Sequence, residues 1–78
     1  MELHWYCFSY IGKDIKTGLT ANGCTYSGYT EEGVTLQAIT ENKQNAGVTD
    51  DAVLISVSYL GKMTKEVFTG KSKNEKQN

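Results

Sequence analysis

Leu3-His4-Trp5-Tyr6-Cys7-Phe8-Ser9-Tyr10-Ile11 is the stretch that decides the fold. Side chains along a strand point alternately to its two sides, so Trp5, Cys7 and Ile11 share one face and Tyr6, Phe8 and Tyr10 the other. The run is rich in aromatics, lacks Pro and Gly, and is bounded by Gly12-Lys13-Asp14, which reads as a strand and its stop. A strand apolar on both faces belongs in the interior of a sheet. A domain of this size covers only one side of such a sheet, which leaves the second side as the candidate working surface.

The chain has 78 residues, enough for one domain. Domains this small bury only ~60% of the surface of their unfolded chain, so the core has to be efficient. The formal net charge is −1, and every one of the eight cations is lysine. Without arginine, the planar fork that usually reads phosphates and base edges is missing, which counts against nucleic acid as a partner. The apolar stretches fall far short of the ~20 residues of a membrane span, so no membrane association is expected. The opening Met1-Glu2-Leu3-His4 has no basic region and no small-residue cleavage site. The expectation is a complete cytoplasmic chain with reduced thiols, since two cysteines do not make a disulfide scaffold. In its small size and arginine-free composition the chain is similar to accessory proteins of phages and mobile elements, a compositional likeness without a motif.

Working outward from the first strand, the polar segment from Lys13 to Gly18 reads as a hairpin loop. Leu19 to Tyr29 is rich in Thr and Tyr, as strands are, and carries Gly23 and Gly28. Asn22-Gly23 is also the favoured dipeptide of a tight turn, which would split the stretch in two. One long strand is the preferred reading. A loop centred on Ile15 and Lys16 would set Phe8 opposite Gly23 and Cys7 opposite Cys24, an aromatic covering a bare glycine beside two close, reduced thiols.

Thr35 is placed to cap a helix, with Val34 stapled onto Ile39. Leu36, Ile39 and Ala46, with the stem of Lys43, form its thin apolar stripe, and Gly47 stands at the C′ position. Gln37, Glu41, Gln44 and Asn45 are expected to face water. Ala52 to Leu60 is the last long strand, with Val53, Ile55, Val57 and Tyr59 on the expected core side and Leu54, Ser56, Ser58 and Leu60 opposite. Gly61 should end it. Thr64 caps one helical turn that brings Val67 or Phe68 back onto the core. The polar stretch 69–78 is expected to be a disordered tail.

The order strand, strand, helix, strand makes the third strand parallel to the second and antiparallel to the first. Placing the doubly apolar first strand between them gives a two-layer α+β domain over residues 1–68, an antiparallel-rich three-stranded sheet in the order 2-1-3 with one helix packed on one face. The aliphatic side of the third strand favours packing Trp5, Cys7 and Ile11 beneath the helix, the reverse being the alternative. Tyr6, Phe8 and Tyr10, flanked by Leu54 and Leu60, would then form an open interaction face. A bare aromatic patch on a small protein marks a contact, either with a protein partner or with a second copy in a homodimer. Coverage by the segment from Met63 to Phe68 is the competing account.

Other chemistry is thin. His4 is the sole histidine and lies across the strand from Cys7, so the pair does not form a nucleophile and base. Asp50-Asp51 and Glu31-Glu32 read as solvated loop acids, and Gly23, Gly28 and Gly33 lack the spacing of a phosphate cradle. No catalytic residue, metal ligand or cofactor is expected, and the chain reads as a non-enzymatic interaction module. The alternative is a platform for a small ligand or single-stranded nucleic acid, with Thr25, Ser56 and Ser58 around the aromatics.

Overall fold

The computed structural model describes residues 1–70. Strand β1 (Glu2–Lys13) pairs antiparallel with both β2 (Thr20–Tyr29) and β3 (Val53–Thr64), giving the order β2-β1-β3. Helix α1 (Leu36–Asn45) packs on one face of this sheet, and a short helix α2 (Lys65–Phe68) follows β3 directly. The α+β architecture and strand order are those expected from the sequence. No helix among the described residues is long and apolar enough to cross a membrane. Thr69 and Gly70 close α2 through bonds to the carbonyls of Lys65 and Val67, and positions 71–78 of the expected tail lie outside the described residues.

The β1–β2 loop is held by Asp14, whose Oδ1 accepts from the amides of Lys16 and Thr17. Beyond it, β2 runs unbroken through Asn22-Gly23, so that dipeptide lies inside a strand. The register differs from the expected one by two residues: Phe8 faces Thr25, Tyr10 faces Gly23 and Cys7 faces Tyr26. A two-residue slip preserves which side each residue occupies. Gly23 is needed for another reason, because a Cβ there would meet the Ala46 carbonyl oxygen at 2.7 Å. The bare backbone lets the end of α1 come down onto β2.

Helix α1 begins and ends as its sequence signals. The Thr35 hydroxyl accepts from the Ala38 amide, and Gly47 takes φ 78° just past the C-cap Ala46. Its buried stripe is only partly the expected one: Ile39 and Ala46 pack against the core. Leu36 is exposed, whereas Ala38 and Asn42 are the buried residues. Asn42 is 2% exposed and fully bonded: its Oδ1 accepts from Thr25 Oγ1 at 2.9 Å and Ser27 Oγ at 2.6 Å. Its Nδ2 donates to Tyr29 OH at 2.9 Å and the Ala38 carbonyl at 2.8 Å. One amide thus ties the helix to three side chains of β2.

The face assignment is the main correction. Helix α1 covers Tyr6, Phe8 and Tyr10, which form the core with Val48 and Ala52, so these aromatics are sealed within the chain. Leu54 packs against the same core, and of the expected interaction face only Leu60 stays exposed. The cause is a difference in burial between the two sides of β1. Three aromatics lie on one side, each burying about 150–250 Å² when packed, whereas between Trp5 and Ile11 the other side carries only Cys7 and Ser9. Both tyrosines also find partners there: Tyr10 OH donates to the Ile39 carbonyl at 2.6 Å, and Tyr6 OH accepts from the Gly33 amide at 2.6 Å.

The expected core side of β3 holds for Val57 and Tyr59, which oppose Phe8 and Tyr6, but not for Val53 and Ile55, because the register shifts twice against β1, between Ser9 and Tyr10 and between Trp5 and Tyr6. Ile55 and Leu60 are the unmatched residues. Leu54 and Val57 therefore oppose Tyr10 and Phe8, while Val53 opposes Ile11 on the other side. Helix α1 sits over β1 and β2, leaving Ile55 and Tyr59 exposed. Replacing Asn42 strips four hydrogen bonds at a buried position, so Asn42→Ala should lower stability by roughly 2–4 kcal/mol, against ~0.5 kcal/mol or less for the exposed Gln44→Ala. Urea denaturation of both variants checks this.

Candidate functional site

The side of the sheet away from α1 is built from the odd-numbered positions of β1. Trp5, Cys7, Ser9 and Ile11 oppose Gly28, Tyr26, Cys24 and Asn22 of β2 and Gly61, Ser58, Ser56 and Val53 of β3. One end of this side is closed. The ring of Phe68 from α2 stacks on Trp5 with centroids 4.1 Å apart and planes 4° from parallel. The Trp5 Nε1 donates to the Met63 carbonyl at 2.8 Å, and Tyr26 tilts against Phe68 at 5.9 Å. Gly28 lies under the indole, where a Cβ would come within 2.9 Å of the ring. The aromatic-over-glycine device anticipated for Phe8 and Gly23 is thus realised by Trp5 and Gly28.

Thr64 starts α2 as expected, accepting from the Val67 amide. Phe68 does fold back, but onto Trp5 rather than onto the helix-covered core. A four-residue helix reaches no further. Past Tyr26 the face is open: Ile11 is 42%, Tyr26 59% and Val53 62% exposed. No charged residue occurs among Cys7, Ser9, Ile11, Asn22, Cys24, Tyr26, Val53, Ser56 and Ser58.

Two thiols lie in this surface. Cys7 and Cys24 are not directly opposed, yet their Sγ atoms are 3.2 Å apart, both free, with Cys24 exposed and Cys7 half-buried. The expectation of close thiols therefore holds with a different pairing, because the slip sets Cys24 opposite Ser9 and diagonal to Cys7. Burial, and after it the hydrogen bond with Cys24, pushes the Cys7 thiol above its usual range. Charge on Cys24 likewise pushes the Tyr26 phenol up.

The remaining candidates are scattered. His4 lies on the α1 side, its Nδ1 2.9 Å from Tyr59 OH and its ring stacked on that tyrosine, away from the thiols. Thr25 is taken by Asn42 on the helix side, so it does not converge with Ser56 and Ser58. Asp50 and Asp51 fall in the loop before β3, where the Thr49 hydroxyl donates to Asp51 and holds its carboxyl below the usual range. Glu31 and Glu32 line a cavity of about 400 Å³ with Tyr29, Val34, Thr35 and Ala38. Three of the polar groups around it are already committed: Gly33 N–H to Tyr6, Thr35 Oγ1 to the helix cap, Tyr29 OH to Asn42.

Comparison with models of protein families, with curated proteins and with solved structures returns no match to this chain. The site is therefore read from its own geometry. Because Trp5 is the sole tryptophan, Phe68→Ala should shift its emission to longer wavelength as water reaches the indole. The same variant should lower stability by about 1–3 kcal/mol in thermal unfolding, as losing a half-buried aromatic stack does.

Proposed function

We propose that this chain is a small non-enzymatic interaction module that docks a protein partner, or a second copy of itself, through the sheet side opposite α1. The observation that carries this reading is the uncharged open surface holding Ile11, Tyr26 and Val53, each well exposed. Interface centres are depleted in charge and enriched in aromatics, with tyrosine providing rigid contact area. The exposed aliphatics gain by leaving water, and the serines and Asn22 can supply hydrogen bonds around them.

The geometry also favours binding over chemistry. The histidine and the thiols occupy opposite sides of the sheet, so the imidazole does not stand beside either sulfur. Tyr26 is the one well-exposed aromatic among the open positions, and Lys13 is the one cation among the odd-numbered positions of β1. A row of bases needs several stacking platforms and a track of cations, which makes single-stranded nucleic acid the weaker reading.

A pair of introduced charges tests the docking face. Ile11→Lys with Val53→Asp sets opposite charges at directly opposed, exposed positions, so the monomer fold should keep its circular dichroism spectrum. The wild-type chain is expected to associate with rising concentration in sedimentation equilibrium and the variant to remain monomeric. A wild-type chain that stays monomeric at millimolar concentration, and binds no more apolar dye than the variant, would count against the proposal.

A further inference from the structure

The open surface carries a second feature independent of docking. We infer that Cys7 and Cys24 form a reversible dithiol–disulfide couple, a covalent modification site that cross-links β1 to β2 when the chain meets an oxidised low-molecular-weight disulfide. Three observations converge on it. The sulfurs are 3.2 Å apart, so reaching the ~2.05 Å of a disulfide closes a gap of only about 1 Å. The two strands are already fixed by a regular antiparallel register from His4 to Lys13, with no bulge near either cysteine on that side. Finally, Cys24 is exposed on a surface that no other element among the described residues covers, so a small disulfide can reach it.

The chemistry runs in two exchanges. The Cys24 thiolate attacks one sulfur of the reagent RSSR, forming Cys24–S–SR and releasing RS⁻. Cys7, after giving up its proton to solvent, attacks the Cys24 Sγ and releases the second RS⁻. The protein dithiol is oxidised, RSSR is reduced, and two RSH result after protonation. The order follows from access: Cys24 is open to the reagent, whereas Cys7 is half-buried, holds its proton more firmly, and is the resolving thiol.

The cross-link joins residues 17 apart in sequence. Its formation removes freedom mainly from the unfolded chain, and native proximity must favour the bond by the same factor as the bond favours the native state. Full-length chain equilibrated in mixtures of reduced and oxidised glutathione, quenched with acid, alkylated and weighed by mass spectrometry gives the test. The expected product is a monomer lacking two hydrogens, with peptides containing Cys7 and Cys24 joined. Its equilibrium constant should fall at least tenfold in denaturing urea, within the roughly hundredfold ceiling that closing such a loop sets. The oxidised chain should melt several degrees higher than the reduced one. Cys7→Ser should stop at a glutathione adduct on Cys24, and Cys24→Ser should react markedly more slowly. Persistent free thiols in excess oxidised glutathione, accumulation of mixed adducts on the wild-type chain, or an equilibrium constant unchanged by urea would overturn the inference. These readouts are taken on the monomer, so failure of docking leaves them unaffected.

Discussion

Tyr6, Phe8 and Tyr10 stand on one side of the central strand and must leave water together; nearly every other feature of the molecule accommodates that burial. Large aromatics set in a row on a flat sheet need a cover, and α1 is the one element long enough to provide it. The cover sits over β1 and β2, where Gly23 allows the end of the helix to approach and where Asn42 meets the hydroxyls of Thr25, Ser27 and Tyr29. A polar residue thus holds the layers together, which works because its amide is satisfied on both ends. The helix itself is weakly apolar, so burial of the sheet aromatics rather than of helix side chains supplies most of the driving force.

Placing the helix there has a consequence on the reverse side of the sheet. With α1 committed, the single turn of α2 is the only other helix among the described residues that reaches that side, and Phe68 places its ring on Trp5. The surface is sealed at one end and bare from Tyr26 to Ile11 and Val53. The bare part is uncharged, and it brings two cysteines from different strands together. The proposed docking and the proposed thiol chemistry both rest on this leftover area rather than on any motif.

Much of the frame was legible in the residues. The double apolarity of Leu3 to Ile11 placed β1 in the middle, Thr35 and Gly47 marked the helix ends, and Thr64 marked the start of α2. The face was not legible, because it was judged from the alternation Val53, Ile55, Val57, Tyr59. Alternation holds only while register is regular, and the unmatched Ile55 moves Leu54 to the core side and Val53 away from it, while Val57 keeps its expected side. Asn42 escaped notice for a related reason: an asparagine in a helix reads as solvent-facing until the hydroxyls across from it are known. The signal was present as i, i+4 spacing from Ala38, a small residue at a close-packed position.

By itself the sequence determined the element order, the central place of the first strand, the helix caps and the nearness of the two thiols, since these follow from local periodicity, turn residues and the hairpin's reach. Only the tertiary structure decided which side of the sheet is covered. That choice depends on pairing between β1 and β3, some fifty residues apart in sequence, on bulges that local pattern does not announce, and on comparing the burial of whole faces, a quantity no single segment contains.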